Sequence, residues 1–129
     1  MTTKKKILIV DDTLIDQHRI CTILGNANID VVILLAQNGK EGLEKARNEH
    51  PDLIFMDILM PEMDGFSVCR KITTSADTKD IPVVIVSIKN QPVDKMWATL
   101  QGAVAMITKP YTDDQILEQV ANFIQARHE

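Results

Sequence analysis

"DLIFMDILMPEMDGFSVCRKI", residues 52–72, changes its period part-way through. Leu53 to Met56 is an unbroken apolar run stopped by Asp57. After the turn residues Asp64 and Gly65, the apolar positions Phe66, Cys69 and Ile72 recur at every third place. A short apolar run without alternation suits a strand covered on both faces, whereas a step of three suits one face of a helix. The stretch therefore reads as strand, turn, helix, with a carboxylate left at the strand's carboxyl end.

The same unit recurs on either side. Apolar runs also occupy Ile7 to Val10, Val31 to Leu35, Val83 to Val86 and Val104 to Ile107. Helical faces lie between and after them: Ile20, Ile23 and Leu24; Val93, Met96 and Leu100; Ile116, Val120, Phe123 and Ile124. Asn38 followed by Glu41, and Thr112 followed by Gln115, have the pattern of helix starts, and Pro92 suits a first helical turn. Gly25, Gly39, Gly65 and Gly102 stand near element ends. Five strand–helix units predict an α/β fold, a doubly wound (βα)₅ domain around a parallel five-stranded sheet. Residues 1–129 are expected to form this one domain, with the fifth helix ending near Arg127 and no room for an output module. Met56, Met96 and Met106 are assigned to packing, and Trp97 to either packing or a partner face.

Bulk properties exclude several classes. A net charge of −4 lacks the clustered Lys and Arg that phosphate backbones require, so nucleic acid is not an expected partner. The one basic run, Lys4 to Lys6, precedes only four apolar residues, too few for a signal-peptide core, and no stretch reaches membrane-spanning length. A cytoplasmic protein without membrane insertion is expected. Cys21 and Cys69 are read as buried free thiols, and His18, His50 and His128 lack the spacing of a metal site.

In an open parallel sheet, ligands bind beyond the carboxyl ends of the strands. At those ends stand Asp11 and Asp12, Asp57, Ser87, and Thr108-Lys109-Pro110. Carboxylates gathered at one edge repel one another, and a hard divalent cation such as Mg²⁺, which takes oxygen ligands, relieves that repulsion. A carboxylate is also a nucleophile that can form an aspartyl phosphate. The reading places the phosphoryl group on Asp57, uses Mg²⁺ and Lys109 to neutralise it, and lets Ser87 donate a hydrogen bond to it. Singly these residues are commonplace: Asp12 could simply cap the first helix, and Asp64-Gly65 is assigned a structural turn. The full set in one chain order carries the reading.

With these residues in place, the sequence resembles the CheY-like receiver domains of two-component systems. The resemblance rests on "ILIVDD" (7–12), "DLIFMDILMPEMDG" (52–65), "IPVVIVS" (81–87) and "ITKP" (107–110), and spans essentially the whole chain. It implies strand order 2-1-3-4-5, Asp57 as phosphoacceptor, and Mg²⁺ held directly by Asp12 and Asp57. Asp11 would act through water, and the backbone carbonyl of Leu59 would add a further ligand. It also implies Lys109 pairing with the phosphoryl group, Ser87 reporting it, and a cis bond before Pro110. The implied partners are a histidine kinase as donor and a target protein read on the helix 4–strand 5–helix 5 face. The domain would be a switch that transfers the group to itself, not a turnover enzyme. The stretch "DKMWATLQGAVAMITKP" (94–110) further resembles PilH-type receivers of twitching motility, which implies a chemotaxis-like, CheA-like kinase.

Two positions depart from that pattern. Met106 stands where receivers often carry an aromatic switch residue, and Ile88 where a small residue usually follows the Ser. They motivate an alternative, a degenerate receiver that binds partners without phosphorylation. A haloacid-dehalogenase-type phosphatase would need two aspartates with one residue between them, D-x-D, whereas Asp11 and Asp12 are adjacent. A dinucleotide-binding oxidoreductase would need glycines that "DDTLID" (11–16) does not contain.

Overall fold

The apolar runs form one parallel sheet of five strands: β1 (Lys6–Val10), β2 (Val32–Ala36), β3 (Leu53–Asp57), β4 (Val83–Ser87) and β5 (Ala105–Thr108). Their order is β2-β1-β3-β4-β5, as the resemblance implies. The computed structural model describes residues 4–60 and 64–125. Helices α1 (Leu14–Asn26), α2 (Gly39–Glu49), α3 (Gly65–Thr74), α4 (Pro92–Leu100) and α5 (Asp113–Val120) connect or follow the strands, and α5 runs on into a π-helical turn, Ala121–Gln125. The expected end of the fifth helix near Arg127, like His128, lies outside the described residues. Among the described residues, no helix is long and apolar enough to cross a membrane.

Alternation along each strand divides the core into two layers. Leu8, Val10, Ile54, Met56, Val83 and Ile85 face α2, α3 and α4, where Ala46, Val68, Cys69 and Ile72 meet them. Ile7, Ile9, Leu53, Phe55, Val84 and Val86 face α1 and α5, meeting Ile20, Leu24, Ile116 and Val120. The central strands are therefore buried on both sides, which explains their unbroken apolar runs. The outer strands are not. β2 leaves Val32 and Leu35 more than a third exposed, and β5 is only half-buried apart from Ile107.

Helix starts follow local chemistry. The side chains of Asn38, Asp64 and Thr112 accept hydrogen bonds from the N–H groups of Glu41, Ser67 and Gln115. Pro92 occupies the first turn of α4 behind Gln91, whose N–H donates to the Asp94 carboxylate at 3.0 Å. α1 is capped by Thr13, which accepts from Asp16, so Asp12 is not the cap.

Two further expectations, the packing of Met96 and the burial of Cys21, are corrected. The face of α4 holding Val93, Met96 and Leu100 lies in solvent, and Met96 is 63% exposed: helical spacing identified a face, but no layer covers it. Trp97, half exposed on the same helix, meets the half-buried Phe66 of α3 edge-to-face with ring centroids 6.5 Å apart. Cys69 is buried but Cys21 only half-buried, and both are free. Met106 is half-buried against the α2–α3–α4 layer.

Candidate functional site

Sheet register brings the acidic residues together. Val10 lies beside Met56, so the next residues along the two strands, Asp11 and Asp57, emerge side by side at the carboxyl edge. Asp57 lies beside Val86, and Ser87 beside Thr108, which puts Lys109 on the same edge from the far end of the chain. The Lys109–Pro110 bond is cis, and the Lys109 N–H donates to the Ser87 carbonyl at 2.8 Å, tying this turn to β4.

Oxygens of Asp11, Asp12 and Asp57 all lie within 4.8 Å of one another. Asp11 and Asp57 are buried, whereas Asp12 is exposed. Lys109 reaches over them. Its ammonium donates to Asp16 Oδ2 at 2.9 Å and Asp11 Oδ2 at 3.2 Å, and stands 3.8 Å from Asp57 Oδ2. One cation thus faces several anions. Burial pushes the Asp57 carboxyl up to about 6 by stripping its hydration; Lys109 opposes the shift and the neighbouring Asp11 charge adds to it. Burial alone would lower Lys109, yet its hydrogen bond to Asp16 and the charges of Asp11 and Asp57 hold it above its ordinary value. Asp16 is likewise partly desolvated, but Lys109 brings it below the usual carboxylate range.

The donor set fits a hard divalent cation: three carboxylates in mutual reach, two of them shielded from water, with one carboxyl destabilised in its charged form. Leu59, whose carbonyl is the further ligand implied by the resemblance, lies two residues past Asp57 and donates its own N–H to Asp57 Oδ1 at 3.4 Å. Ser87 is fully buried, and its hydroxyl accepts the Lys89 N–H at 3.1 Å. A cleft of about 180 Å³ opens beside the cluster, lined by Asp16, Arg19, Ile88, Lys109, Pro110 and Tyr111. Ile88 is 63% exposed there.

Two residues around the site went unread in the sequence. Gln17 is buried on α1, and its amide donates to the carbonyls of Asp11 at 2.8 Å and Ala36 at 3.1 Å, pinning the ends of β1 and β2. The spacing of Ile20 and Leu24 extends back to Gln17 by one helical step, a signal that this polar residue faces inward. Asp16 gives no such signal, because its partner is 93 residues away. Gly65 has a positional role besides. A Cβ there would lie 2.1 Å from the Asp57 carbonyl oxygen, so only glycine lets α3 begin against the end of β3.

The family model for the response regulator receiver domain matches residues 7–121. The chain is a response-regulator receiver domain. This receiver is 40% identical to protein PilH of Pseudomonas aeruginosa, over 89% of this chain and 93% of that one. It is 30% identical to protein PilG of the same organism, over 87% and 82%. The receiver also superposes on the crystal structure of a putative response regulator from Chloroflexus aurantiacus, with a TM-score of 0.86 and 26% identity, covering 97% of this chain and all of that one.

Proposed function

We propose that this receiver is a response regulator that accepts a phosphoryl group on Asp57 in a Mg²⁺-dependent reaction. The observation that supports it best is the convergence of Asp11, Asp12, Asp57 and Lys109 on one strand edge. Asp12, Asp57 and the Leu59 carbonyl would hold the metal, with Asp11 acting through water. Bound Mg²⁺ supplies positive charge where phosphate oxygens gather. An Asp57 carboxylate oxygen bonds to phosphorus as the bond from phosphorus to the donor breaks; when the donor is a phosphohistidine, its imidazole leaves and takes a proton. Lys109 would neutralise one phosphoryl oxygen, and Ser87, released from its buried setting, would donate to another.

The likeness to PilH and PilG supports a chemotaxis-like, CheA-like kinase as donor and a role in type IV pilus twitching motility in the cytoplasm. The output surface would be the α4–β5–α5 face, whose α4 portion exposes Val93, Met96 and Leu100. The exposed Ile88 beside Lys109 favours a second reading, a receiver that works without phosphate.

Intact mass after incubation with Mg²⁺ and acetyl phosphate separates the two. One phosphoryl adduct, absent without Mg²⁺ and absent in Asp57→Asn, is the expected result. No adduct, together with no binding of beryllium fluoride, would establish the phosphate-independent reading instead.

A further inference from the structure

We propose that Asp16 is a positioning residue that parks Lys109 away from Asp57 and so restrains the switch in its unphosphorylated state. The inference deepens the proposed function and rests on it.

Asp16 is the third residue of α1, where an acidic side chain ordinarily turns back to the N-cap N–H or simply favours the helix's positive end. Here that first role is taken. The Thr13 N–H donates to Asp11 Oδ1 at 3.0 Å, while Thr13 Oγ1 accepts from the Asp16 N–H at 3.2 Å. The cap is complete without the Asp16 carboxylate, which instead crosses to Lys109 from the opposite end of the chain. Its 2.9 Å hydrogen bond is the shortest of the three carboxylate approaches to that ammonium.

An ammonium has three donors. Two are spent on Asp16 and Asp11, and Asp57 Oδ2, at 3.8 Å, lies beyond hydrogen-bond reach. For Lys109 to bond to a phosphoryl oxygen on Asp57, it must swing towards β3 and loosen its hold on α1. Asp16 favours the parked position and does not touch the reacting atoms. A ligand shifts such an equilibrium only by its differential affinity for the two positions, so the parking interaction subtracts from the apparent affinity for a phosphoryl group. Lys109 lines the 180 Å³ cleft together with Asp16, which leaves the ammonium open space on that side.

The test compares wild type with Asp16→Asn at saturating Mg²⁺, using beryllium fluoride as the phosphoryl mimic. The Asn variant is expected to bind the mimic about two- to fivefold more tightly, the upper part of the range of a partly exposed ion pair. A second measurement reads the lysine itself, through the ¹⁵N-labelled Lys109 ammonium signal in metal-free protein. In Asp16→Asn this signal is expected to move towards its position in the wild-type complex with Mg²⁺ and beryllium fluoride, a change that loss of an ordinary cap would not produce. Equal or weaker binding by the variant, or an unmoved Lys109 signal, overturns the parking role while the phosphorylation reading stands. Failure of wild type to bind the mimic or take up phosphate overturns both.

Discussion

Asp57→Asn should stabilise the metal-free protein at neutral pH, although it destroys the proposed acceptor. Asp57 sits at about 6 in the folded chain against 3.8 when free, because burial disfavours its charge more than Lys109 favours it. Its folded value lies above its unfolded one, so ionisation opposes folding. The penalty is nearly absent at about pH 4, grows between about pH 4 and 6, and is fully present above that. At pH 7.5 a gap of this size corresponds to about 3 kcal/mol; relaxation and water entry into the open cleft reduce it to about 1–2 kcal/mol. Asn keeps the shape without the charge, and Lys109 retains both of its hydrogen-bond partners, Asp11 and Asp16. For a chain of this length the gain is a rise in Tm of about 5 °C. Thermal melts in EDTA at pH 7.5 and pH 4 measure it. The advantage should largely vanish at pH 4, and should shrink at pH 7.5 in excess Mg²⁺, which stabilises wild type by mass action. An Asn variant that melts at or below wild type at pH 7.5, or a difference unchanged at pH 4, would refute the dominance of burial at this carboxyl.

Lys109→Ala should still gain a phosphoryl adduct by intact mass, yet lose the conformational response; an unaltered shift in Trp97 fluorescence on phosphorylation would remove Lys109 from the switching role. Gly65→Ala forces a methyl towards the Asp57 carbonyl, and urea unfolding should show a loss of about 1–3 kcal/mol, as overpacking typically costs. A wild-type midpoint would mean that α3 can shift outward freely. Gln17→Leu removes the amide shared by two strand ends; the Ala36 carbonyl keeps its bond from the Asp11 N–H, but the Asp11 carbonyl loses its side-chain donor. The expected loss is about 1–3 kcal/mol, with weaker Mg²⁺ binding by titration, and unchanged Mg²⁺ affinity would confine Gln17 to a purely structural part.

Much of the fold was legible because a doubly wound sheet imposes different periods on its parts. The runs at Leu53 to Met56 and Val83 to Val86 are apolar throughout because helices cover both faces, and nothing else in a chain of this size demands that pattern. Strand ends were legible because polar residues, Asp57 and Ser87, break the apolar runs at the carboxyl edge although both are buried there. What periodicity cannot tell is whether a face has a partner. Val93, Met96 and Leu100 line up as a buried stripe would, yet α4 leaves them in solvent. Nor can spacing reveal a contact whose two halves lie near opposite ends of the chain. Nothing in the sequence sets Asp16 apart, and only the fold brings it to Lys109.

That separation bears on how the protein is made. The acidic cluster and its ammonium come from residues 98 positions apart, at Asp11 and Lys109. A ribosome releases Asp57 long before it releases the lysine, and β5 must dock beside β4 before the cation arrives. Until then the growing chain carries the carboxylates of Asp11 and Asp57 without that ammonium beside them. The counter-charge of the acidic edge is therefore supplied by the fifth strand, and the mutual repulsion of Asp11 and Asp57 is relieved by Lys109 only once the sheet is complete.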